Sequence, residues 1–180
     1  LCGALEFAEK ISKIGTQPII GTQINFKYAD TIGMLPLFAL NEEGYKNIIK
    51  LSSLSYLKNE ERLEPQLDLN ELLKKNNGIS LFSGTINGLF GRLFEKGKFT
   101  EIEELYLKLK SNYKDCFYLE IQRHGDKNEV GFEKFNLAQS LKFEIPLIAT
   151  NEVFYINKDM YEAHDALICI KNKTYINEKD

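Results

Sequence analysis

The stretch from Phe117 to Ala149, FYLEIQRHGDKNEVGFEKFNLAQSLKFEIPLIA, decides the fold class. Phe117 to Ile121 is an apolar run of strand length. Apolar residues at Val130, Phe132, Phe135, Leu137, Ala138 and Leu141 then keep a helical period, and Pro146 to Ala149 gives the next buried strand. Strand, helix and strand in about 30 residues make a βαβ unit, whose crossover helix lets the two strands run parallel.

The same alternation extends outward. Ala4, Phe7, Ala8, Ile11 and Ile14 predict an opening helix, ended by Gly15 as a left-handed cap. Pro18 to Ile20, Gly21, Ile24 and Phe26 predict a buried strand with a break or bulge, and Met34 to Leu40 a second strand, weakened by Pro36. Asn41 before Glu42 and Glu43 caps a helix whose inner face reads as Tyr45, Ile48, Ile49 and Ser52. Polar, aperiodic sequence over about 57–67 predicts an exposed loop. Asp68 with Glu71 starts a short helix ending near Gly78, Ile79 to Phe82 is a strand, and the SGTINGLFG run supplies a turn and a new helix. Thr100 with Glu103 predicts a capping box for a helix through Tyr113, with Ile102, Leu105, Tyr106 and Leu109 inward; Met160 to Ile170 is the last helix. Repeated βα units of this kind point to an α/β fold with a parallel sheet or barrel.

Composition narrows the function. The 180 residues carry 43% hydrophobic side chains and a net charge of −3, enough apolar material for one domain's core and no overall basic character. A domain built to hold nucleic acid by electrostatics is therefore not expected. Cys2, Cys116 and Cys169 are odd in number and widely spaced, matching neither a disulfide framework nor a paired zinc pattern, so reduced thiols in a cytoplasmic protein are expected. No apolar run reaches the roughly 20 residues of a membrane span.

In parallel α/β folds chemistry gathers at the carboxyl ends of strands. Those positions here are Gln23, Met34, Ser83 to Thr85, Gln122 to Gly125 and Thr150 to Tyr155. Ser83 stands in S-G-T, not in G-x-S-x-G, so a nucleophile elbow is excluded, and Gly84, Gly88 and Gly91 lack the Gly-Lys-Ser/Thr of a P-loop. His124 reads locally as a solvated loop histidine. His164, beside Glu162 and Asp165, reads locally as a surface helix residue; either histidine becomes a ligand only in company with others.

The ordered phrases LCGALEFAEK, QPIIGTQINF, LNEEGYKNIIKLSS, FYLEIQRHG, IPLIATNEVFY and YEAHDALICI together resemble the PHP (polymerase and histidinol phosphatase) domain of bacterial DNA polymerase III α subunits. The resemblance covers essentially the whole chain. It implies a single partial PHP domain over 1–180: an incomplete, distorted (β/α)7 barrel lacking its first strand, with no palm, fingers or thumb. An open barrel of that kind exposes an unpaired strand edge, which predicts low stability or association of the piece alone.

Metal-binding members of the family hold a trinuclear centre at the barrel mouth. Carried onto this sequence, the acidic residue after PIIG is Gln23, the histidine opening the next strand is Met34, the cysteine of S-G-C is Thr85, and the histidine of TND-x-H-Y is Phe154. Only the final acid-x-His pair, Glu162 and His164, is chemically intact. The resemblance therefore implies a vestigial metal site and no catalytic residue or cofactor in this piece, with Mg belonging to the parent polymerase core. Its implied role is scaffold for that core and docking surface for the proofreading exonuclease subunit, meeting DNA only through the parent protein, in the cytoplasm and away from membranes. The alternative is a metal-dependent PHP phosphoesterase, which would need the full ligand set.

Overall fold

The computed structural model describes residues 3–58 and 64–176. Two compact units are present, Leu1–Thr150 and Asn151–Asp180, and each is taken by itself.

The larger unit is built on a six-stranded open sheet in the order β3-β1-β2-β4-β5-β6. Its strands are β1 (Gly21–Tyr28), β2 (Thr31–Ala39), β3 (Gln66–Asp68), β4 (Ile79–Phe82), β5 (Phe117–Ile121) and β6 (Leu147–Ala149). The helices are α1 (Ala4–Lys13), α2 (Glu42–Leu57), α3 (Leu69–Leu73), α4 (Leu89–Glu95), α5 (Phe99–Tyr113) and α6 (Glu129–Phe143). β4, β5 and β6 run parallel, with α5 and α6 in the crossovers, as the βαβ reading requires. The sheet as a whole is mixed. β1 and β2 form an antiparallel hairpin and β2 also meets β4 antiparallel, while β3 joins β1 in parallel.

The first strand begins later than expected. Pro18 to Ile20 lie outside it and Ile19 is exposed, because the chain reaches its ladder partner on β2 only from Gly21. Pro36 is tolerated inside β2 for a geometric reason. The hairpin closes on Tyr28 and Thr31, so alternation makes Gln23 and Pro36 a pair that exchanges no hydrogen bonds. Pro36 thus lacks an N–H where β1 needs none, and β2 meets β4 only from Leu37 onward.

Two helices turn a different face inward. Asn41 does cap α2, its Oδ1 accepting from Gly44 N at 2.9 Å, but the buried stripe is Gly44, Ile48, Leu51 and Ser55. Contact of Gly44 with Gly78 sets that rotation, leaving Ile49 exposed. α6 buries Glu129, Phe132, Asn136 and Gln139 and exposes Val130, Leu137 and Leu141, because buried polar groups hold its inner face. Thr100 makes no cap, since α5 starts one residue earlier, at Phe99. Its apolar face, Ile102, Leu105, Tyr106 and Leu109, is buried as expected. In the expected loop over 57–67, residues 59–63 lie outside the described residues, and Gln66 pairs with Asn25 at the start of β3.

The core is one contiguous cluster including Phe26, Leu35, Leu37, Leu81, Phe90, Tyr106 and Phe117. Phe90 and Phe117 each pack on Tyr106, with ring centroids 4.7 and 5.7 Å away. In the smaller unit, α7 (Tyr161–Asn172) follows a 3-10 turn and has no buried residue. Among the described residues no helix is long and apolar enough to cross a membrane.

Candidate functional site

Parallel pairing of β4, β5 and β6 brings the ends of those three strands to one side of the sheet, where Thr85, Glu120, Gln122, His124 and Thr150 lie. A cavity of about 10 Å³, the size of a single water, is lined there by Thr85, Ile86, Glu120, Gln122, Phe132 and two α6 carboxylates.

Glu120 is the residue that motif reading missed. It is 5% exposed and sits inside β5. Thr150 Oγ1 donates to its Oε1, and Gln122 Nε2 donates to the same oxygen at 3.2 Å and to Thr150 Oγ1 at 2.8 Å. Gln122 Oε1 lies 3.1 Å from His124 Nε2. A carboxamide oxygen can only accept, so that nitrogen carries the hydrogen and the His124 ring is oriented. The available signal was an ionisable residue in the middle of an apolar strand, FYLEI, where a buried charge demands partners.

The backbone of Glu120 is tied as firmly. Its N–H donates to Ser83 Oγ at 2.9 Å, and Ser83 N donates to the Tyr118 carbonyl at 2.9 Å. Ser83 is fully buried, so its hydroxyl extends the ladder between β4 and β5. On the other side Asn136 Nδ2 donates to the Glu120 carbonyl at 3.3 Å, and Tyr106 OH donates to Asn136 Oδ1 at 2.9 Å. Burial pushes the Tyr106 phenol well above its ordinary pKa, so it remains a donor at any physiological pH.

The α6 carboxylates are already engaged. Glu129 accepts from His124 N at 2.9 Å and Gly125 N at 2.8 Å; these bonds, the His124 one foremost, hold its carboxyl below the usual range. Glu133 takes Arg123 bidentately, at 3.0 and 2.7 Å, which lowers the acid and raises the guanidinium. The 122–128 loop is therefore fastened by hydrogen bonds donated from Arg123, His124 and Gly125 to the two α6 carboxylates, which leaves those acids occupied.

The residues carried over from the family fall in different places. Gln23 and Met34 lie on one face of the hairpin, at neighbouring positions across β1 and β2, and line a cleft of about 230 Å³ with Asn25, Ser52, Ser55 and Tyr56. None of these six side chains is an acid, a base or a metal-seeking imidazole or thiolate. Thr85 lies at the cavity beside Glu120, where its Oγ1 accepts from Asn87 N at 3.3 Å. Glu162, His164 and Phe154 belong to the smaller unit. Phe154 stacks on the His164 ring at 5.1 Å, and Tyr155 packs on it at 5.5 Å. Glu162 and His164 are two residues apart on α7, a spacing that aims them at different faces. Among the described residues no three His, Cys, Asp or Glu side chains form a metal-holding group. At the positions that the resemblance assigns, Gln23, Met34, Thr85 and Phe154 are neutral or aromatic and Glu162 and His164 point to different faces, so these side chains do not fit a trinuclear metal set.

Comparison with known proteins finds the family that the sequence resembles. The chain is similar to DNA polymerase III subunit alpha of Caulobacter vibrioides, 33% identical over 100% of this chain and 16% of the relative. It is also similar to that of Rickettsia felis, 36% identical over 94% of this chain and 14% of the relative, and to that of Vibrio cholerae, 32% identical over 94% and 15%. The chain thus spans about one sixth of the length of these relatives. Residues 1–124 match the family described as PHP domain, and the chain belongs to that family.

Proposed function

We propose that this chain is the PHP portion of a bacterial replicative DNA polymerase III α subunit, and that its own role is structural. The similarity to α subunits along 94–100% of the chain carries this reading. The parent would perform template-directed nucleotidyl transfer in a polymerase core that uses Mg, and would meet DNA there, in the cytoplasm. The PHP portion would support that core and dock the separate proofreading exonuclease subunit. Its open mixed sheet would be one part of a PHP-type distorted (β/α)7 barrel, a view supported by the parallel β4-β5-β6 segment with its crossover helices.

The donor set supports a vestigial metal site. Phosphoester hydrolysis in this family needs closely held cations to activate water and offset oxyanion charge. Gln23, Met34, Thr85 and Phe154 supply no anionic or imidazole donor, and Glu162 with His164 leaves only a remnant.

The test uses the complete polypeptide. Metal analysis should find no stoichiometric zinc or manganese in the PHP portion, His164→Ala should leave polymerase activity and any phosphoesterase background unchanged, and the exonuclease subunit should co-purify. Stoichiometric metal with hydrolysis lost in His164→Ala would establish a phosphoesterase instead. Absence of exonuclease binding at micromolar concentration would remove the docking role.

A further inference from the structure

Asparagine followed by glycine is the pair in which a side-chain amide is most easily lost, because glycine has no Cβ to keep its own nitrogen away from the asparagine Cγ. The sequence has two such pairs, Asn77–Gly78 and Asn87–Gly88. Within the larger unit both asparagine side chains are exposed, so access of water does not separate them. Their hydrogen bonds do.

At the second pair the reacting groups are engaged. Gly88 N donates to the Thr85 carbonyl at 2.9 Å, Asn87 N donates to Thr85 Oγ1 at 3.3 Å, and Asn87 Nδ2 donates to Asp126 Oδ2 at 3.0 Å. Gly88 is buried at the N-cap of α4, and a Cβ there would stand 2.9 Å from the Met34 carbonyl oxygen, so the chain has little room to turn. At the first pair the Gly78 N–H makes no hydrogen bond among the described residues. The Asn77 carboxamide is held by one hydrogen bond, from Nδ2 to Glu43 Oε1 at 3.3 Å, which is long and exposed, and the Asn77 carbonyl accepts from Asn47 Nδ2 at 3.0 Å.

We propose that Asn77–Gly78 is a site of spontaneous deamidation through a succinimide, and that the product loosens the start of α2. The Gly78 nitrogen bonds to Asn77 Cγ and closes a five-membered ring. Its proton departs with the side-chain nitrogen as ammonia, and water then opens the ring at either carbonyl to give aspartate or isoaspartate. Only water is consumed. Aspartate puts a carboxylate where the amide donates to Glu43, so a hydrogen bond is replaced by repulsion between like charges. Isoaspartate routes the main chain through Cβ and Cγ of residue 77, adding a carbon beside Gly78. A Cβ on Gly78 would already stand 2.3 Å from Asn41 Oδ1 and 2.6 Å from Gly44 N, so the first turn of α2 has to give way.

The complete polypeptide is incubated at mildly alkaline pH, folded and in parallel in urea, then digested and read peptide by peptide for aspartate and isoaspartate at positions 77 and 87. In the folded protein position 77 should convert roughly ten-fold or more faster than position 87, where bonds must open before the ring can close. In urea the two rates should converge. Isoaspartate should accompany aspartate at position 77, since the ring opens at either carbonyl. Incubated parent protein should melt below fresh protein, whereas Asn77→Gln, whose side chain is one carbon too long for that ring, should melt alike before and after incubation. A folded rate at 77 no greater than at 87, a ratio that urea leaves unchanged, or aspartate without isoaspartate overturns the site. Conversion at 77 with no change in melting overturns the loosening of α2.

Discussion

Gly44, in the first turn of α2, lies against the carbonyl of Gly78: a Cβ at position 44 would stand 1.7 Å from the Gly78 oxygen. Gly78 itself has φ +69°, and a Cβ there would meet Asn41 Oδ1 at 2.3 Å, the atom that caps α2. The helix start and the turn before β4 are thus one tightly packed unit. Helix propensity alone would make Gly44→Ala stabilising by about 1 kcal/mol. The clash is with backbone and not with a movable side chain, so overpacking at about 1–3 kcal/mol or more should outweigh it. Thermal unfolding should therefore show Gly44→Ala less stable than the parent chain; an unchanged or raised melting temperature would refute the packing.

Tyr106 and Asn136 give a second expectation. Both are fully buried, and the Tyr106 hydroxyl supplies the hydrogen bond to Asn136 Oδ1. Tyr106→Phe keeps the ring contacts with Phe90 and Phe117 but removes the donor, stranding a buried carboxamide oxygen. The cost should be about 1–3 kcal/mol in denaturant unfolding. In the Asn136→Leu background the same Tyr106→Phe change should cost much less, because the oxygen it strands is gone; equal costs in both backgrounds would dissolve the coupling.

Elements governed by local chemistry were legible in the sequence. β4 and β5 fall where apolar runs end at Ile79, Phe82, Phe117 and Ile121, and Asn41 and Asp68 cap the helices they precede. The rotation of α6 was not legible, because its inner face follows from Tyr106 and Glu120, which lie 30 and 16 residues from Asn136 in sequence. Antiparallel pairing of β1 with β2 was also missed. Its signal was only the short interruption at Ala29 and Asp30, and Ala29 takes the left-handed conformation usually given to glycine. At the candidate site, the neutral or aromatic character of Gln23, Met34, Thr85 and Phe154 is a matter of sequence alone. The importance of Glu120 is not, since it lies in partners drawn from β4, α6 and the end of β6.

Glu129 should make stability depend on pH in the acid range. Hydrogen bonds from His124 N and Gly125 N favour its charged form, so its folded pKa lies below the ordinary 4.5. A depressed folded value means that the stabilisation is complete above about 4.5 and is lost as pH falls through the lowered value. Glu129→Gln should accordingly be less stable than the parent at pH 7, with the gap closing as pH is lowered below 4.5. Melting temperatures measured from pH 7 to pH 3 would show it; a gap that stays constant would mean that the carboxylate's charge is not what holds the loop.

Asp30 offers a test of screened charge at the hairpin tip. Its carboxylate takes Lys98 Nζ and Lys96 Nζ, each at 3.1 Å, and Lys96 also donates to Thr31 Oγ1 at 2.7 Å. These contacts, led by the Lys98 bond, hold the Asp30 carboxyl far below its ordinary range and tie the β1-β2 turn to the loop between α4 and α5. The Asp30 side chain is 67% exposed, so solvent and salt should weaken the tie. Asp30→Asn should lower the melting temperature at low ionic strength, and the difference should shrink near 1 M salt, where the Debye length falls to about 3 Å. Arg92 Nη1, which donates to the Ile32 carbonyl at 2.7 Å, fastens the same hairpin through a hydrogen bond to a neutral group. Shortening it in Arg92→Lys should therefore give a loss that salt changes much less. If both variants respond to salt alike, the hairpin is held by something other than the Asp30 charge.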